Sequence, residues 1–198
     1  MNKTLAAALL ATSTLTFGAA SAQAEAVKFA LDPSHSQIVF TWNHLGYSTT
    51  TGMYSGFEGD IMFDAEDPAA SSVSVTFPAE GMITGWDART QHFLQSGDFF
   101  KLDEAPEVTF ESTGIEVTGD ATAKITGDLT INGVTKSVVL DTVLNKQAEY
   151  PFGPTQGQMA LGFDATTTVV RSEFNLGAFA PAIGDEVKVQ LSIEAVAE

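Results

Sequence analysis

From Glu25 onward the apolar side chains of this chain recur with a period of two, which suits half-buried strands and no helical layer. In Ser36 to Leu45, the residues Ile38, Phe40, Trp42 and His44 share one face, and Gln37, Val39, Thr41 and Asn43 the other. Phe57, Gly59, Ile61 and Phe63 alternate with Glu58, Asp60, Met62 and Asp64. Val73, Val75 and Phe77 alternate with serine and threonine up to Pro78, and Val108 and Phe110 with Thr109 and Glu111. Ile115 and Val117 are read as the start of the next strand. Further strands are expected over Ala121 to Ile131, Thr135 to Leu144, Gln158 to Val170 and Glu186 to Ala195. Asn132-Gly133 stands between two of them as a hairpin turn, since both residues tolerate positive φ. Roughly eight to ten short strands with Gly, Asp and Pro turns predict one antiparallel all-β domain, a sandwich or a barrel. Only Asp87 to Phe100 departs from the rhythm: Asp87 is expected to cap a short helix through Gln95 that Gly97 ends. Asn145 to Gly157, with Pro151, Gly153 and Pro154, reads as a long loop.

The N-terminus has the pattern of an export signal. Lys3 precedes the uncharged run Leu5 to Phe17, and Ala22-Gln23-Ala24 supplies the small residues of a cleavage site. Residues 1–24 are therefore expected to be a cleaved signal peptide, and 25–198 the mature domain. The apolar run is too short to span a bilayer of about 30 Å, so no stable membrane anchor is expected after cleavage, and the mature protein is expected in the periplasm. With 25 acidic and 9 basic residues the chain has a net charge of −16, which makes nucleic acid an unsuitable partner. The chain has no cysteine, which excludes disulfides, thiolate metal sites and a cysteine nucleophile.

Chemistry-bearing motifs are few. The chain has no G-x-S-x-G, H-E-x-x-H, G-x-x-x-x-G-K-[ST] or G-x-G-x-x-G, so no catalytic residues are assigned and no cofactor is expected. Of the three histidines, His35 and His44 would lie roughly 30 Å apart on opposite faces of one strand, which argues against a shared metal. His44 continues the apolar stripe of Ile38, Phe40 and Trp42, which would suit a group at a cavity mouth meeting a ligand's polar head. The alternative is a histidine bonded to the backbone or exposed at the strand end. Arg89 and Arg171 are read first as partners of carboxylates, and otherwise as bidentate contacts for an anionic head. The chain holds 14 phenylalanines, ten of them on or beside the expected strands (Phe40, Phe57, Phe63, Phe77, Phe99, Phe100, Phe110, Phe163, Phe174 and Phe179). They would either fill a solid core or line an elongated apolar cavity, and an eight-stranded barrel has room for both.

Several segments, in order, resemble one known family. They are Leu31-Asp32-Pro33-Ser34-His35-Ser36, Phe40 with His44-Leu45-Gly46, Phe57-Glu58-Gly59-Asp60-Ile61, His92 to Phe100, Val108 to Thr113, Gly127 to Lys136, Arg171-Ser172-Glu173-Phe174 and Ile183 to Val187. Together they resemble the YceI-like family of exported bacterial proteins over nearly all of the mature length. The resemblance implies an extended antiparallel eight-stranded, lipocalin-like β-barrel with one short helical excursion, enclosing a long apolar pocket. It also implies a polyisoprenoid or other long-chain lipid as ligand, no catalytic residues, and a homodimer as the common assembly. Two positions depart from the family pattern. Trp42 stands where a smaller aliphatic residue is frequent and, if inward, would shorten or reshape the pocket. Asn175 stands where a glycine is common nearby.

The expected function is a lipid carrier or sequestering protein, with Ile38, Phe40, Trp42, Phe63, Phe77, Phe110 and Leu129 lining the pocket, and His44 and Arg171 as further ligand-binding candidates. Two other classes stand beside it: an envelope interaction or stress protein with a solidly packed barrel, and a lipid-modifying enzyme using His44 or His92.

Overall fold

A computed structural model describes residues 25–198, so the expected signal peptide lies outside the described residues. Ten strands form one antiparallel sheet: β1 (Val27–Leu31), β2 (Gln37–His44), β3 (Ser48–Ser55), β4 (Glu58–Phe63), β5 (Ser72–Pro78), β6 (Glu107–Gly119), β7 (Thr122–Ile131), β8 (Val134–Glu149), β9 (Met159–Val170) and β10 (Glu186–Ala197). The spatial order is β1-β4-β5-β6-β7-β8-β9-β10-β2-β3, and a further pairing of β1 with β10 closes the ring.

The ten strands make eight staves. β10 pairs with β9 on one side; on its other side Ala195–Ala197 pair with β1 and Lys188–Ser192 with β2. β1 and β2 are thus one stave interrupted by residues 32–36, and β4 and β3 continue one another opposite them through Gly56 and Phe57. On the edge facing β1 and β2 the interruption leaves Glu194 without a ladder partner. The buried Ser36 hydroxyl fills that gap, donating to the Glu194 carbonyl at 3.2 Å and accepting from its N–H at 3.3 Å. Asp32 N–H also donates to the Glu194 carbonyl at 2.8 Å, so the ladder is bridged where the strand bends.

Two register shifts correct the expected strand limits. Ile115 and Val117 do not begin a new strand, because β6 runs unbroken to Gly119. A bulge between Ser112 and Gly114 inserts one residue, so even-numbered Phe110 and odd-numbered Ile115 both face inward. A second bulge between Leu144 and Lys146 carries β8 on to Glu149, into the segment expected to be loop. β1 and β3 were not anticipated. The helix α1 (Asp87–Gln95) lies where expected, but Trp86 is its N-cap and Asp87 its first residue. Gly97 follows its end at φ 75°. Asn132 (φ 53°) and Gly133 (φ 74°) form the anticipated hairpin turn, and Asn175 closes the 3₁₀ turn Arg171–Phe174 in the left-handed region, which asparagine tolerates.

At the bend between β1 and β2, Asp32 accepts hydrogen bonds from the Ser34 N–H (2.8 Å) and hydroxyl (2.6 Å), and its other oxygen lies 2.7 Å from His35 Nδ1. Burial opposes ionisation of Asp32, but the bonds from Ser34 and His35 outweigh it and hold the carboxyl below its ordinary range. The bond to Asp32, with that group's charge, raises the His35 imidazolium above its ordinary value. The raised histidine stabilises the fold below the ordinary imidazole pKa, and that contribution is lost as pH rises through the raised one. The lowered carboxyl stabilises it above the ordinary carboxylate pKa, and that contribution is lost as pH falls through the lowered one. Urea unfolding followed from acid to alkaline pH should show both flanks, and Asp32→Asn should flatten each of them.

Candidate functional site

The inward parity of the eight staves encloses a cavity of ≈ 380 Å³. This is within the range of small-molecule sites, about 300–1,000 Å³. Ile38, Phe40, Trp42, Phe63, Phe77, Phe110 and Leu129, the seven expected lining residues, all line it, and so does Arg171. His44 does not: it is exposed at the end of β2, where its backbone bridges to Ile183. Many inward apolar side chains, Ile38, Phe40, Phe63, Val75, Phe110, Leu129 and Leu191 among them, keep partial exposure although they face into the ring. In a filled core they would touch one another; here they face unfilled space.

Both ends can be followed residue by residue. One is capped by α1 and the connection from β9 to β10, with Phe99, Phe174 and Leu176 buried in it. Trp42 stacks on Phe40 (5.9 Å between ring centroids) and meets Phe93 of α1 at 5.6 Å, so its indole does face inward and narrows the lumen beneath the cap. Asn132 ties the cap together: its side chain accepts from Lys101 N–H at 2.8 Å and donates to the Phe99 and Phe174 carbonyls, both at 3.3 Å. At the other end β6 and β7 project beyond β5. The lumen reaches the surface there, between Pro68, Ser71 and Ser72 on one side and Val117, Asp120, Ala121 and Thr122 on the other.

Arg171 belongs to the cap. It is 8% exposed, and its guanidinium donates to four backbone carbonyls: from Nε to Gly184 (2.8 Å), from one terminal nitrogen to Leu176 and to Ala178 (2.9 Å), and from the other to Ile183 (2.7 Å). Burial lowers its pKa and the charge of Asp185 opposes that shift. The sequence suggested a carboxylate as its partner; it bonds instead to the carbonyls of the turn it folds, and Asp185 bonds to Ser172 (3.0 Å to its N–H, 2.7 Å to its hydroxyl). A lysine cannot reproduce a planar fork of donors. Arg171→Lys should therefore leave buried carbonyls unpaired and lower the unfolding free energy by about 2 kcal/mol or more, read by urea denaturation.

Lining residues that the sequence left unassigned include Tyr54 on β3, Phe93 on α1, and Ile115 beyond the bulge. Burial pushes the Tyr54 hydroxyl pKa up, and that hydroxyl donates to the Ala79 carbonyl at 3.2 Å. Two strand glycines also shape the wall. Gly52 lies opposite Phe40, and a β-carbon there would overlap the Phe40 ring; Gly127 likewise gives room to Phe110. Each ring occupies the space that a β-carbon on the neighbouring strand would take. A glycine inside a strand pattern is the signal by which such positions can be found. Gly52→Ala should push Phe40 inward and lower the amount of a small apolar fluorescent probe taken up per protein, measured by saturation binding, with the fold retained by circular dichroism.

Among the described residues, one grouping has the donor set of a metal site: Asp32, His35 and Glu194, with ligand atoms within 4.8 Å of one another. These groups bond to the protein itself, His35 to Asp32 and Glu194 to the Tyr150 hydroxyl at 2.9 Å, and they brace the bend in the first stave. His92 lies outside the lumen, 3.3 Å from Asp98.

Comparison with known proteins matches residues 29–195 to the YceI-like domain. The chain is 38% identical to a UPF0312 protein of Ectopseudomonas mendocina, over 99% of each chain. It is 37% identical to protein YceI of Escherichia coli, over 93% of each. Among solved structures it is similar to a YCEI protein of Campylobacter jejuni (TM-score 0.68, 28% identity, 79% of this chain and 90% of that one). At lower identity it shares its fold with BcnA of Burkholderia cenocepacia (TM-score 0.73, 21%, covering 83% and 98%). The same is true of a polyisoprenoid binding domain of Saccharophagus degradans (TM-score 0.64, 12%, covering 87% and 99%).

Proposed function

This chain belongs to the YceI-like domain family, and from that premise we propose that it is a periplasmic binding and carrier protein for a polyisoprenoid or similar long-chain amphiphilic lipid held in the lumen. The observation that carries the reading is the continuous lumen of ≈ 380 Å³, lined almost wholly by apolar side chains, many of which remain partly accessible. An apolar chain entering it leaves water at roughly 25 cal/mol per Å² buried. Several hundred Å² would therefore supply on the order of 10 kcal/mol before the costs of ordering. That scale suits retention of a lipid without chemistry. The polyisoprenoid binding domain of S. degradans, which shares the fold, supports the ligand class.

The open lumen weighs against an envelope protein with a solidly packed barrel. Turnover by His44 or His92 is the weaker reading as well, since neither histidine reaches the lumen. The export pattern of residues 1–24 supports a periplasmic location.

Protein purified from its own periplasm should release a long-chain lipid on organic extraction, identified by mass spectrometry. Leu129→Trp, which adds apolar volume to the lumen just below the cap, should fold and carry at least severalfold less. If no lipid is extracted and none is taken up in titration, the carrier reading fails.

A further inference from the structure

The polar groups that meet the lumen bear on the ligand's head, given the lipid-binding reading above. Among the described residues, Arg171 is the only lysine or arginine that lines it. Its guanidinium sits in the cap and already donates to four carbonyls, which leaves little of its donor fork for a ligand.

The mouth has the opposite character. Its polar lining residues are Ser71, Ser72, Asp120 and Thr122, with Asp67 immediately before the lining residue Pro68; Ser72 and Thr122 sit on the rim, the Thr122 hydroxyl accepting from that of Thr118 at 3.0 Å. Lys124 is the nearest lysine along β7, but Ala123 and Ile125 face inward, so it points outward, and there it pairs with Asp141 at 2.5 Å. A phosphate or diphosphate arriving here would meet carboxylates and hydroxyls on a chain whose net charge is −16. An alcohol, quinone or amide head would meet hydrogen-bonding groups and no repulsion.

We propose that the barrel selects long-chain lipids with an uncharged, hydrogen-bonding head group and discriminates against phosphate and diphosphate heads.

Two ligands of equal chain length separate the cases: geranylgeraniol and geranylgeranyl diphosphate, each titrated below its aggregation concentration. Trp42 in the lumen is the reporter, and Trp86→Phe removes the only other tryptophan, which is exposed. At low ionic strength the alcohol should bind at least roughly tenfold tighter, a difference of about 1.4 kcal/mol. Added salt should narrow the gap by screening the repulsion. Asp120→Lys combined with Thr122→Lys should strengthen binding of the diphosphate severalfold and so narrow or reverse the alcohol's advantage. Equal or tighter binding of the diphosphate by the unmodified mouth would overturn the proposal. If neither ligand binds, the lipid-binding reading itself falls, and that outcome is distinct from a failure of selectivity.

Discussion

Closure of the sheet through β10 is the constraint on which everything else rests. One edge of β10 pairs with β9, and the other is shared between β1 and β2, so the ring has no free edge at the seam. Because the ladder closes through β10, most of the wall's backbone is paired without a filled interior; β3 pairs with β2 alone, apart from a bridge from Met53 to Ile83. The weak point of that closure is the bend at residues 32–36, where Ser36 and Asp32 supply the bonds the strand cannot. An apolar cavity would otherwise be a liability, since unfilled space forfeits contacts at every lining atom. Here the loss is limited, because packing concentrates elsewhere.

Packing is dense in two regions and loose between them. Phe29, Leu31, Leu161 and Ala195 are buried around the closed seam, and Phe99, Phe174 and Leu176 under the cap. The walls between them carry Ile38, Phe40, Phe110 and Leu129 with partial exposure. The fold is thus anchored at the seam and the cap, and the middle stays open. With no cysteine in the chain, these two packed regions and the closed ladder provide the cohesion that disulfides supply in other small domains.

The alternation of side chains made most of this legible. Parity alone placed Ile38, Phe40 and Trp42 on one face, and Phe63, Phe77, Phe110 and Leu129 among the inward residues. It misled where geometry breaks parity. The bulge near Thr113 shifts the phase within β6, and a rule with a fixed period of two can only read that as a new strand. β3 was hidden because Ser48-Thr49-Thr50-Thr51-Gly52 offers no apolar alternation, although its threonines favour strands. His44 kept the parity of its stripe but lies at the strand's end beyond the lumen, a limit set by stave length. Arg171 was out of reach for a different reason: its partners are backbone carbonyls brought together by the turn it stabilises, and carbonyls leave no mark in a sequence.

The two ends of the barrel divide the work of holding and admitting a ligand. At the cap, Asn132 and Arg171 fasten three separate segments through their side chains, so opening there would break several buried bonds at once. At the mouth, the wall beyond the end of β5 is built by β6 and β7, whose Val117 and Thr122 are already exposed. A chain entering from that side displaces water from apolar walls and breaks none of the bonds that fasten the cap. In the proposed mode the tail would run toward Trp42 and the head would stay near Asp120 and Thr122. The acidic surface is therefore more than a solubilising coat, because it continues to the rim where the head of such a ligand would rest.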